Sequence, residues 1–150
     1  MAQPTMFLLT LLLTSFSTLG MAAYNVVNFG ARPDGRTDSA NAFLRAWARA
    51  CSSRRPAVIY VPQGKFFVSQ ALFLGPCNNA ALRILIKGTI VASSGYGTSL
   101  KWLHFKNVQG VGIYGGVLDG QGQSLWACKT AGRSCPSGAI VGLLALALGS

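Results

Sequence analysis

Two periodicities divide this chain near Pro56. From Asp38 to Ser53 the apolar residues recur at helical spacing: Phe43, Leu44, Trp47, Ala48 and Cys51 share one face, and Asn41, Arg45 and Arg49 share another. Arg54 and Arg55 follow where positive charge complements a helix dipole, and Pro56 ends the run. One amphipathic helix is predicted, with the Trp47 stripe as core packing. Beyond Pro56 the period becomes two. Ala57–Val61, Lys65–Val68, Ala71–Leu74, Leu82–Ile86, Thr89–Val91, Leu100–Phe105, Val111–Tyr114 and Val117–Leu118 read as short strands bounded by Gly, Pro and Asn. Leu82, Ile84 and Ile86 alternate with Arg83, Leu85 and Lys87, as in a half-buried strand.

Strands this short, with frequent glycine turns, leave two all-β options: hairpins in a sandwich or barrel, or a parallel β-helix of stacked rungs. Ile84-Leu-Ile-Lys-Gly88 and Val111-Gly-Ile-Tyr-Gly115 share one apolar pattern, and their glycines are 115 − 88 = 27 residues apart. One solenoid rung can occupy that length, which favours the coil. Ahead of the helix, Val26 and Val27 hand over to a bend at Gly30 and a Pro33-Asp34-Gly35 turn, after which Thr37 and Asp38 are placed to cap the helix.

The two ends differ from the middle. Residues 1–23 carry no charge, hold the apolar run Phe7–Leu13, and finish in Gly20-Met-Ala-Ala23. They read as a secretory signal peptide, since the run is far shorter than the roughly 20 residues of a membrane span. Residues 139–150 form an uncharged, mostly aliphatic tail that departs from the preceding pattern. Between them, residues 24–138 are expected to form one domain.

All 13 Lys and Arg and all three acidic residues lie after residue 23, so the exported part keeps a formal charge of +10. Such a field attracts polyanions with a strength that falls as salt rises. Nucleic acid is the usual first partner of such a field, but a secreted chain meets other polyanions, such as acidic wall polysaccharides, and excess positive charge also simply keeps a protein soluble. The charge narrows only the partner's sign, and no membrane contact is expected once the signal is removed. Four cysteines in an exported chain imply two disulfides among three possible pairings. Proximity favours Cys128 with Cys135, leaving Cys51 with Cys77. A metal site fits poorly, because no C-x-x-C spacing occurs and the single His104 has no ligand-spaced neighbour.

Gly110-Val-Gly-Ile-Tyr-Gly115 matches the dinucleotide fingerprint, but turn residues follow it instead of a helix, and Asp119 is the last carboxylate in the chain. No cofactor is expected. Asp34, Asp38 and Asp119 are the only side-chain carboxylates, and none forms a closely spaced pair of the kind that glycosidic hydrolysis uses. His104 reads as a packed strand residue, and no Ser or Cys nucleophile has a recognisable setting. No catalytic residue is assigned.

The opening run Asn25–Asp38 resembles that of the polygalacturonases of glycoside hydrolase family 28. Further resemblances follow in the family's order: Phe43-Leu-Arg-Ala-Trp47 through Cys51, Val58-Ile-Tyr-Val-Pro-Gln-Gly64, Phe73-Leu-Gly-Pro-Cys77, Gly115-Gly-Val-Leu-Asp119-Gly-Gln-Gly122, and Leu125 through Gly138, the last two most similar to plant members. Ser39-Ala-Asn41 departs from the family's usual acidic residue and Thr. The resemblance implies a right-handed parallel β-helix with one N-terminal capping helix, and hydrolysis of α-1,4 bonds between galacturonic acids with inversion. The family's catalytic motifs are an Asn-Thr-Asp segment, an Asp-Asp pair, a Gly-His-Gly histidine and an Arg-Ile-Lys clamp. None occurs here: Arg83-Ile84 is followed by Leu85, and His104 lies between Leu103 and Phe105. The expectation is an incomplete, truncated polygalacturonase, inactive as written, with its substrate-binding residues unassigned and with acidic polysaccharide (pectin), not nucleic acid, as the partner the resemblance implies. A non-catalytic basic pectin-binding module and a disulfide-stapled extracellular structural protein are the rival readings.

Overall fold

A computed structural model describes residues 20–94 and 101–135. Residues 1–19, most of the segment expected to be a signal peptide, and the tail 139–150 lie outside the described residues. Among the described residues there are ten strands: β1 (Ala22–Asn25), β2 (Asp34–Asp38), β3 (Ala57–Val61), β4 (Lys65–Phe67), β5 (Ala71–Leu74), β6 (Leu82–Ile86), β7 (Thr89–Val91), β8 (Leu103–Lys106), β9 (Val111–Tyr114) and β10 (Val117–Asp119). Helix α1 (Ala40–Ser52) lies between β2 and β3, and α2 (Gln123–Thr130) follows β10.

Every strand pairing among these elements is parallel. One sheet runs β1-β3-β6-β9, a second β10-β7-β4-β2, and a third pairs β5 with β8. From β3 onward the chain visits the sheets in a fixed rotation and returns to each beside its previous strand. Hairpins cannot do this, because they make antiparallel neighbours. This winding is that of a parallel β-helix.

Inward positions stack from rung to rung. Ile59, Ile84 and Ile113 are in register, as are Phe66, Ile90 and Leu118. In the first sheet the rung between β6 and β9 measures 113 − 84 = 29 residues. The repeat visible in the sequence aligned Ile84 with Val111, two residues away from the structural register of Leu82 with Val111. A shift of two preserves which side chains face inward, so the hydrophobic pattern alone does not distinguish the two alignments. In the observed register the turn after β9 is tight. Gly115 and Gly116 both take positive φ (71° and 63°), and a Cβ at Gly116 would lie 2.2 Å from Ile86 Cγ2.

Helix α1 buries Phe43, Ala46, Trp47 and Ala50. Phe43 meets Phe66 edge-on with ring centroids 6.2 Å apart, and Trp47 packs against Phe73 at 5.1 Å. Phe105 stacks on Phe73 one rung later, at 4.6 Å. The Trp47 indole N–H donates to the Leu74 carbonyl at 2.9 Å, so the ring's polar atom is satisfied inside the packing. Ala48, expected on the apolar face, is exposed, and the inward surface is completed by alanines instead.

Local differences from the sequence reading have local causes. The Asp34–Asp38 turn is also an edge strand on β4. The extended segment precedes Val26 rather than including it: Ala22 and Ala23 pair with Ala57 and Val58, and Val26–Phe29 form a 3₁₀ turn. Helix α2 has no apolar period, burying only Leu125, and its C-terminal half is tied by the Cys128–Cys135 disulfide.

Burial falls along the coil. Leu82, Ile84, Phe73 and Ile90 are buried, whereas their partners one rung on, Val111, Ile113, Phe105 and Leu118, are only partly covered. Strands β8, β9 and β10 are the edges of their sheets at this end.

Candidate functional site

Asp34 and Asp119 are held by local donors, and Asp38 by one local and two distant ones. Asp34 accepts from the backbone N–H groups of Arg36 and Thr37 at 2.8 Å each, and from the Thr37 hydroxyl at 2.6 Å. The Thr37 hydroxyl, followed by those two N–H groups, lowers its pKa from 3.8 to about 2. Asp38 accepts the Ala40 N–H at 3.0 Å and takes both the N–H and the hydroxyl of Ser69, at 3.2 and 2.5 Å. Partial burial pushes its carboxyl up. The Ser69 hydroxyl and the two N–H groups outweigh that and leave the pKa lowered. Asp119 accepts the N–H and the side-chain amide of Gln121, both at 3.0 Å.

Caps are distributed differently from the expected scheme. Thr37 turns to Asp34 instead of the helix, and the Ser39 hydroxyl at the N-cap accepts the Arg32 N–H. Only Asp38 reaches a helical N–H. Sequence reading missed Ser69 as its partner, because the two are 31 positions apart and meet only through the β2–β4 pairing.

Asp38 and Asp119 stand on one ladder across β2, β4, β7 and β10, with Phe67 and Val91 between them. Three strand spacings separate them by roughly 14 Å. Inverting glycosidases hold their two carboxyl groups about 6.5–9.5 Å apart. These aspartates therefore do not form an acid–base pair. Asp38 instead ties the start of α1 to Ser69, and Asp119 fixes the turn at Gln121.

His104 sits in β8 opposite Leu72, half-buried on a strand face it shares with the exposed Lys106. The Gly110–Gly115 run spans strand β9 and a turn into β10, with no helix opening on it, so its N–H groups are spent in a sheet. All four cysteines are in disulfides, Cys51 with Cys77 and Cys128 with Cys135. Cys51–Cys77 joins the end of α1 to the turn after β5.

All 13 Lys and Arg side chains are exposed. On the outer face of the first sheet, Arg83 lies with its guanidinium carbon 6.0 Å from the centre of the exposed Tyr114 ring. Their proximity was hidden in the sequence, since it depends on the register of β6 against β9.

Comparison with known proteins agrees with this architecture. Residues 23–90 match a family described as rhamnogalacturonase A/epimerase, pectate lyase-like. A polygalacturonase of Prunus persica is 56% identical over 120 residues, covering 77% of this chain and 30% of that protein. A polygalacturonase of Gossypium hirsutum is 38% identical over 131 residues, covering 85% of this chain and 32% of its own length. An exopolygalacturonase of Arabidopsis thaliana is 36% identical over 112 residues. The chain thus spans about a third of the length of these relatives. With 56% identity over 77% of its length, this chain is a relative of the plant polygalacturonases, matched to a fragment of their length.

Proposed function

We propose that this chain is the N-terminal part of a secreted polygalacturonase, an enzyme hydrolysing α-1,4-galacturonosyl bonds of pectin in the cell wall, and that these 150 residues do not catalyse the reaction by themselves. The 56% identity to the Prunus persica polygalacturonase, confined to 30% of that protein, carries this reading. The partly covered rung β8–β10 supports it, because a coil that continues would bury that surface under its next turn. In this reading the coil is right-handed and α1 closes its first end. Residues 1–23 direct export, with their last two positions overlapping β1. Residues 24–138 are native to the β-helix and 139–150 diverge from it. Among the described residues no helix is long and apolar enough to cross a membrane.

The test is release of reducing ends from polygalacturonate by the purified 150-residue protein. No release is expected, and measurable hydrolysis would overturn the assignment of the catalytic residues to sequence outside this chain. Sequencing of transcripts past the Gly138 codon provides a second test: continuation in a product through Asn-Thr-Asp and Gly-His-Gly supports the reading. A binding role for acidic polysaccharide is supported separately by the exposure of every cationic side chain.

A further inference from the structure

The outer face of the β1-β3-β6-β9 sheet carries a row that crosses three strands. Tyr60, Leu85 and Tyr114 are in register and point outward, because their inward neighbours Ile59, Ile84 and Ile113 face the core. Arg83 and Lys87 belong to the same outward side of the β6 segment, on either side of Leu85, and both are exposed. At strand rise they stand roughly 13 Å apart, and the Tyr114 ring lies at the Arg83 end of that span, over Gly112, the register partner of Arg83. That ring lies flat along the sheet over Gly112: a Cβ there would meet its Cε2 at 2.5 Å and its hydroxyl oxygen at 2.6 Å. Glycine at 112 leaves the space the ring occupies, and Tyr114 remains 53% exposed.

We infer that this face is a binding platform for anionic polysaccharide, with the open face of Tyr114 stacking on a sugar ring and Arg83 and Lys87 pairing with carboxylates of flanking residues. The inference rests on the acidic-polysaccharide reading above and names the surface that carries it. A flat aromatic ring offers an apolar face to the C–H side of a pyranose. A guanidinium on one side recognises a carboxylate by bidentate hydrogen bonding, and an ammonium on the other acts as a point charge. A neutral glycan would use the ring alone, and a polyanion without a sugar face would use only the charges. The combination selects an acidic sugar chain.

Affinity of the 150-residue protein for oligogalacturonides, measured by calorimetry across a salt series, tests the inference. Fully methyl-esterified oligomers and polyphosphate serve as comparison ligands. Tyr114→Ala should weaken oligogalacturonide binding about fivefold or more while leaving the salt slope unchanged. Tyr114→Phe should bind like the parent. Gly112→Ala, which displaces the ring without altering charge, should weaken binding in the same direction as Tyr114→Ala. Arg83→Gln and Lys87→Gln should each lower the salt slope, and Lys129→Gln on α2 should not lower affinity comparably. Binding that survives both Tyr114→Ala and Gly112→Ala overturns the platform while leaving the polysaccharide reading intact. Equal affinity for polyphosphate shows attraction by charge alone and also overturns it. Absence of any oligogalacturonide binding removes both the platform and the binding role.

Discussion

The Ser69 hydroxyl donates to Asp38 Oδ2 at 2.5 Å while the Ser69 N–H donates to Asp38 Oδ1 at 3.2 Å. Through the Ala40 N–H, the same carboxylate also holds the start of α1. One side chain therefore fixes a helix terminus to the segment after β4. Asp38→Ala and Ser69→Ala should each destabilise by about 1 kcal/mol, since the site is largely exposed and solvent screens the charge. Their shared bond makes the double variant cost less than the sum of the two. Strict additivity in denaturant midpoints would show that the pair does not act as a unit.

Acid should reveal the Asp34 turn. Its carboxyl has a pKa of about 2 in the folded chain against 3.8 ordinarily, so its contribution is present above 3.8 and is lost as pH falls through about 2. Asp34→Asn should therefore be less stable than the parent near neutrality, with the gap closing over that interval. Urea midpoints followed downward from about pH 5 measure it. A gap that stays constant to the bottom of the range would assign the loss to packing instead of charge.

Much of this fold is written locally. The helix is legible because Phe43 and Trp47 recur at its period and Pro56 stops it; the strands are legible because inward residues alternate with outward ones. What escapes is whatever depends on register. Two residues of slip between Ile84 and Val111 are invisible to a period-two pattern, and with them goes the approach of Arg83 to Tyr114. The Asp38–Ser69 pair escapes for the same reason. Helix α2 escapes because Leu125 is its one buried side chain, which leaves no periodic signal. The carboxylates were legible as turn formers, since Asp34 and Asp119 each precede glycine in turn sequences and each accepts an N–H two residues on.

The two disulfides should differ in weight. Cys51 and Cys77 are 26 positions apart and Cys128 and Cys135 only 7. Loop-closure entropy assigns about 3.5 kcal/mol to the first and about 2.5 kcal/mol to the second. The Cys51→Ser/Cys77→Ser variant should show the larger drop in thermal midpoint, because it also frees the end of α1 from the β5 turn. An equal or reversed order would mean that the unfolded chain keeps residual structure across the longer loop.

Gly116 should resist substitution where Gly120 does not. Gly116 has φ +63° and its missing Cβ would collide with Ile86, whereas nothing lies within 4 Å of a Cβ at Gly120. Gly116→Ala is expected to cost more than about 1 kcal/mol, and Gly120→Ala close to nothing. Equal effects would show that the turn between β9 and β10 relaxes freely and does not set the rung length.

Ile84 and Ile113 occupy the same inward position in successive strands, but only Ile84 is buried. Truncating a buried isoleucine removes its transfer energy and leaves a cavity, whereas a partly covered one already touches water and leaves less. In the 150-residue chain Ile84→Ala should cost about 3 kcal/mol and Ile113→Ala about 1 kcal/mol. The comparison becomes decisive when repeated in a longer product that continues the coil. Another rung laid on β9 would bury Ile113 as β9 buries Ile84, so the cost of Ile113→Ala should rise to that of Ile84→Ala. If Ile113→Ala already matches Ile84→Ala in the 150-residue chain, the end rung is covered there by other means, and no further turn of the coil is needed to complete its core.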